Sequence, residues 1–160
     1  MKTTKGRAEV PFFVVFVVFV VKLSSMLISR EMVLDMDIAL NAAMFGGDMM
    51  ARMDKVAGIA ASLMSRNRRF LTLKVSELLF HSPVRAGEII EFHVGLARQG
   101  RTSLTLQINV QVYEPVSDQR RDVTSGEFVM VAVDEALRPE PILWKPEMLQ
   151  AEADARLQRP

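Results

Sequence analysis

Apolar positions along this chain follow two periods, and the change from one to the other is abrupt. Between residues 49 and 64, Met49, Met53, Val56, Ala60 and Leu63 or Met64 recur every three to four residues, which is the spacing of one helix face. The spacing predicts a helix over residues 47–65, opened by Gly46-Gly47. Small residues (Ala51, Ala57, Gly58, Ala61) fill much of the rest, and Arg52, Lys55, Ser62 and Arg66 leave one narrow polar edge. A helix apolar over most of its circumference is expected to be buried. After Asn67 the period drops to two. Phe70–Phe80 reads as extended, closed by turn signals at Ser82-Pro83 and Ala86-Gly87. Ile90, Phe92, Val94 and Leu96 then alternate with Glu91, His93, Gly95 and Ala97. Beyond a turn at Gln99-Gly100-Arg101, Leu104, Leu106, Ile108, Val110 and Val112 alternate with polar residues, the cleanest strand in the chain. Residues 26–34 and 128–133 complete the set. Strict alternation implies an antiparallel sheet with one apolar and one wet face. One helix and one such sheet predict an α+β fold in which the sheet wraps around the helix.

Composition narrows the chemistry. At 160 residues the chain fits one domain. A net charge of +1, with arginines scattered apart from residues 66–69, gives no nucleic-acid signal. The absence of cysteine excludes a disulfide framework, a thiolate nucleophile and a cysteine-ligated metal, and fits a reducing, cytoplasmic setting. His81 and His93 lie in no metal-like pair. They read as structural or solvated, a catalytic base being the alternative, and no metal is expected.

Residues 10–21 form a Val/Phe-rich run preceded by Lys2, Lys5 and Arg7. Glu9 and Pro11 interrupt its start, and no small-x-small cleavage site follows, so it departs from a secretory signal. As a helix it would reach roughly 18 Å, short of a bilayer core of roughly 30 Å. A strand or extension outside the main fold is the favoured reading. A cleaved or anchoring segment, with membrane contact, and a translation start placed too early are the alternatives. The chain thus divides into an apolar extension (1–23), a main domain (24–140) and a Pro- and charge-rich tail (141–160). In the tail Pro146 could open a short helix and Trp144 could fold back onto the body.

The residue that points to chemistry is Asp54. On the predicted helix its same-face neighbours are Met50, Ala51, Ala57 and Gly58, none of them charged. A carboxylate so placed is expected to be buried, and costly unless something compensates it.

Several segments together resemble one family. Phe45-Gly46-Gly47-x-x-Met50-x-x-Met53-Asp54 resembles the helix-opening motif of the hotdog-fold acyl-CoA hydrolases. Thr72, then Phe80-x-x-Pro83-Val84-x-x-Gly87-Glu88, resembles their second segment, where the last position is usually Asp. Gly100-Arg101-Thr102-Ser103 resembles their strand-opening turn, and Thr124, Phe128 and residues 131–134 their final strand. The resemblance covers roughly residues 26–140. It implies a hotdog fold, an obligate homodimer often assembled into hexamers, and a site at the dimer interface. The substrate it implies is a fatty acyl thioester of coenzyme A, with no separate cofactor. It matches Asp54 to the catalytic carboxylate, and the backbone around Gly47 to the helix start that receives the thioester carbonyl, with Gly46 beside it. Arg101, Thr102 and Ser103 are candidates for the coenzyme A carrier; the bland alternative is a hairpin with a polar rim. The family's Asn-x-x-Gly before the helix is Ala39 and Ala42 here, which leaves a non-catalytic acyl-CoA-binding protein as the alternative function.

From the residues, an uncapped helix start can stabilise an oxyanion, and Asp54 can act as general base or attack directly; the general base is favoured. Asp48 reads as a first-turn residue pairing with Arg52 at i+4, or as a charge opposing catalysis. A hydratase on this fold would need a histidine paired with an acid, and neither His81 nor His93 lies in such a motif.

Overall fold

The computed structural model describes residues 25–39 and 41–148, so the readings for residues 1–23 and for a tail helix beyond 148 lie outside it. Five strands and one long helix follow in order: β1 (Met26–Met32), α1 (Gly46–Met64), β2 (Phe70–Phe80), β3 (Ile89–Gln99), β4 (Ser103–Glu114) and β5 (Gln119–Ala132). A 3-10 turn at Asp35–Asp37 lies between β1 and α1. The strands form one sheet in the order β1-β3-β4-β5-β2, antiparallel throughout, with α1 against one face.

Alternation decides which face that is. Ile90, Phe92 and Val94 of β3, Leu106 and Ile108 of β4, and Phe128 and Met130 of β5 turn inward and are buried. They meet Met49, Met53, Val56, Ala57, Ala60 and Met64 of α1. Alanines at 57, 60 and 61 let the helix sit close to the sheet, and Met53, fully buried, fills the space left between them. Truncating a buried methionine of this kind costs about 2–5 kcal/mol.

Three expectations need correction. Strand β1 ends at Met32 because the chain then turns to bond the segment before β3: Val33 donates to Glu88 O (2.9 Å) and accepts from Gly87 N (2.8 Å). Strand β5 starts at Gln119, nine residues earlier than the apolar pattern indicates, because its polar first half is held by pairing with β4 (Glu114 with Gln119, Tyr113 with Arg120). The helix is not buried all round. Met50, Ile59 and Leu63 are exposed, and Met64, not Leu63, completes the inward stripe.

The chain past β5 closes the far end of α1. Asn67, buried, donates to Glu140 (2.8 Å) and Pro141 O (3.1 Å) and accepts from Leu143 N (2.7 Å). Trp144 pairs with Ser65. On the sheet's outer face the fully buried Glu91 accepts from Arg30 Nε (2.9 Å) and Arg120 Nε (2.9 Å), with His93 Nε2 at 3.1 Å. Both guanidinium groups also lie over the Tyr113 ring, at 4.7 and 4.6 Å.

Candidate active site

Helix α1 starts without a side-chain cap. Phe45 holds the N-cap position with extended backbone, and its ring offers no acceptor. Phe45 O receives Asp48 N (3.0 Å) and Met49 N (3.2 Å). The amides of Gly46 and Gly47 donate to no group among the described residues. Two free N–H groups at the positive end of a helix form a receptor for a negatively polarised oxygen. A Cβ on Gly47 would stand 2.5 Å from the Phe45 ring and one on Gly46 3.2 Å from the Phe80 ring, so a side chain at either position would press on a neighbouring ring. A cleft of about 380 Å³ opens beside these amides, lined by Met44, Met49 and Phe80 and rimmed by Asn41, His81 and Ser82.

Asp54 lies two turns further along. Contrary to the expectation of burial, it is exposed in the single protomer. Compensation comes from β2: the Thr72 hydroxyl donates to the Asp54 carboxylate, and the same oxygen lies 3.5 Å from Met130 Sδ. The family resemblance marks Thr72 without a role; its partnership with Asp54 depends on β2 crossing beside the helix, which no local pattern reveals. The expected pairing of Asp48 with Arg52 is also absent. Arg52 instead bonds Glu31 (2.7 Å) and Asp37 (2.6 Å), tying α1 to β1 and to the turn before the helix. Asp37 is held below the usual carboxylate range, chiefly by the Leu34 amide and, against its partial burial, by Arg52. Asp48 remains exposed in the first helical turn.

The remaining candidates are split between two ends of β2. That strand runs from Phe70, beside Ala132, to Phe80, beside Thr124, a span of roughly 30 Å. Gly46 lies at the Phe80 end. The Arg101–Thr102–Ser103 turn lies at the Phe70 end, where Thr102 O accepts from Ala132 N (2.9 Å) and Arg101 O from Ile142 N (2.8 Å). Asp54, through Thr72, is nearer that second end. Within one protomer, therefore, the carboxylate and the carrier turn are separated from the free amides. Strand β2 is also an edge strand with Leu71, Leu73, Leu79 and Phe80 exposed, a surface that soluble proteins cover.

Residues 41–116 match the family model described as the thioesterase superfamily. The acyl-CoA thioester hydrolase YciA of Salmonella typhimurium is 30% identical over 119 residues, 72% of this chain and 89% of that one. The chain belongs to the hotdog-fold acyl-CoA thioesterases. Among solved members, HI0827, a hexameric broad-specificity acyl-coenzyme A thioesterase, superposes with a TM-score of 0.76 at 27% identity, covering 83% of this chain and 99% of that one. A hexameric thioesterase of Yersinia pestis gives 0.69 at 31% identity, covering 74% and 96%.

One departure from the pattern this chain resembles shows in the backbone. Where that pattern has Gly before the helix, Ala42 takes a left-handed backbone (φ 58°), a conformation that glycine adopts without strain. His93 does meet an acid, Glu91, but on the sheet face opposite α1, where Arg30 and Arg120 already engage that carboxylate. This is a satisfied structural pair, remote from the free amides. His81, at the cleft rim, contacts Ser125 Oγ at 3.0 Å.

Proposed function

We propose that this chain hydrolyses fatty acyl-CoA to the free fatty acid and CoA, at sites shared between two protomers. The observation that carries the reading is the placement of Asp54–Thr72 and the free Gly46 and Gly47 amides along one helix. Seven residues separate Gly47 from Asp54, roughly 10 Å of helix rise. One thioester carbonyl cannot touch both. Pairing two β2 edges about a two-fold axis runs them antiparallel. The Thr72 end of one strand then lies beside the Phe80 end of the other. Asp54, Thr72, Arg101, Thr102 and Ser103 of one protomer thereby face the cleft and Gly47 of the partner subunit.

Asp54 takes a proton from water as the oxygen adds to the carbonyl, and the resulting oxyanion rests on the amides at the helix start. Collapse breaks the carbon–sulfur bond, and the proton passes from Asp54 to the departing thiolate. A positioned base contributes typically 10²–10⁴-fold, and one oxyanion donor about 3 kcal/mol. Thr72 holds the carboxylate in its acceptor role. Arg101, Thr102 and Ser103 offer donors suited to the phosphates of the carrier. Water is the only co-reactant, so no cofactor is involved. The assembly we propose is a homodimer, built into a hexamer as HI0827 and the Yersinia pestis protein are. A cytoplasmic location goes with this substrate. Among the described residues no helix is long and apolar enough to cross a membrane.

A panel of acyl-CoAs with free-thiol detection tests the reading, comparing the wild type with Asp54→Ala. We expect turnover by the wild type and a loss of at least a hundredfold in the variant. Turnover that survives the substitution rejects the assigned mechanism. The changes at Ala39 and Ala42 favour a second reading, acyl-CoA binding without turnover, for which the mark is tight binding with no thiol released.

A further inference from the structure

We propose that Arg121 is a positioning residue of this enzyme, clamping the cleft wall so that the helix-opening loop is held in place. The inference rests on the acyl-CoA reading for its catalytic consequence, but its structural part stands alone.

Arg121 lies on β5, outside the cleft, and its guanidinium holds one short segment at three points. Nη1 donates to Pro83 O (2.9 Å) and to Ser82 Oγ. Nη2 forks onto Glu88 Oε1 (2.9 Å) and Oε2 (3.1 Å). Glu88 Oε2 in turn accepts from Arg85 N (2.8 Å), which closes the segment on itself. Gly87, at φ 83°, makes the turn that brings Glu88 back. The far end is anchored separately, through Val33.

What the clamp holds is the wall of the cleft. Ser82, Pro83 and Val84 line it, and Val84, buried, accepts from Met44 N (2.8 Å) through its carbonyl. Met44 immediately precedes Phe45-Gly46-Gly47. A displacement of the wall is therefore passed by one backbone bond to the residues that present the free amides. The length of the Glu88 side chain supplies the reach for both of its carboxylate oxygens to meet Arg121 Nη2. Arginine suits this place because its planar guanidinium spreads donors in a fixed fork that meets the carbonyl, the hydroxyl and the carboxylate together, a geometry that an ammonium does not supply. Both side chains are partly exposed, so the pair adds little to global stability, and its loss is not a folding defect.

The experiment compares wild type, Arg121→Ala, Arg121→Lys and Glu88→Gln by hydrogen exchange of the 41–47 segment and by kcat and KM across the acyl-CoA panel. We expect exchange at 41–47 to speed up about tenfold in Arg121→Ala and by less in Arg121→Lys, with the melting temperature little changed. We also expect the ratio of kcat/KM between short and long acyl chains to shift in Arg121→Ala, which a smaller folded fraction would not cause. Adding Glu88→Gln to Arg121→Ala should change little further. Unchanged exchange at 41–47, or a uniform loss of kcat at constant KM and constant chain preference, overturns the proposal. A wild type that hydrolyses no acyl-CoA counts against the functional reading instead, while the exchange data still decide the clamp.

Discussion

Asp54 does not resemble a base buried in an apolar wall; it is a surface carboxylate oriented by one hydroxyl. Among the described residues of one protomer only Thr72 bonds it, so Thr72→Val should leave the fold intact and reduce kcat about tenfold, read from thiol release at saturating acyl-CoA. An unchanged kcat would mean that the hydroxyl does not orient the base. Ala42 offers a test with the opposite sign. Its left-handed backbone is strained for a residue with a Cβ. Ala42→Gly should raise stability by up to about 1 kcal/mol in urea titrations, the relief being partly offset by a more flexible unfolded chain. At this scale the candidate residues Asp54, Gly46 and Gly47 were readable because helical spacing is local. The pairing of Thr72 with Asp54 was not, although the resemblance marks Thr72 itself, because the two come from elements 18 residues apart.

The elements divide in the same way. Helix α1 was legible from its 3.6-residue period, and β3 and β4 from their alternation. The first half of β5 was not, because Gln119, Arg120, Arg121 and Asp122 are polar and become strand only by pairing with β4. Glu91 shows the limit most clearly. Its place in the alternation of β3 assigns it to the wet face, and it is nevertheless fully buried, because Arg30 from β1 and Arg120 from β5 cover it. Burial alone would raise its pKa; hydrogen bonds from Arg120, His93 and Arg30 outweigh this and lower it from an ordinary 4.5 to about 2. A carboxylate with a depressed folded pKa stabilises the fold above its unfolded pKa, and that contribution is lost as pH falls through the folded value. The window here runs from 4.5 down to about 2, and the loss is on the order of 3 kcal/mol. Denaturant titrations from neutral pH to about pH 3 should show part of this decline in the wild type. Glu91→Gln should lose that dependence and be less stable at neutral pH by about 3 kcal/mol or more, since the two guanidinium groups then lack their counter-charge. A wild-type profile flat to low pH would contradict the account of this cluster.

At the scale of the molecule, one protomer holds the proposed site residues in two groups at opposite ends of β2 and presents an apolar strand edge between them. Leu71, Leu73 and Leu79 on β2 and Ile59 and Leu63 on α1 are exposed on the same two elements that carry Thr72 and Asp54. Assembly and catalysis are thus one requirement in this account. The alternation pattern could not have revealed it, because outward apolar residues on β2 read like any other strand until the sheet order makes β2 an edge. The most direct measurement uses two inactive variants, Asp54→Ala and Gly47→Pro, the second deleting one helix-start N–H and, through its Cβ, displacing the Phe45 ring beside it. Each is first checked for a cooperative melt, then the two are unfolded together, refolded and assayed for thiol release. A site shared across the dimer predicts that mixing restores about a quarter of wild-type activity, since half the dimers are hybrids and each hybrid regains one of its two sites. If the mixture stays as inactive as its components, although hybrids are present, Asp54 and Gly47 do not meet across the interface and the shared site is wrong.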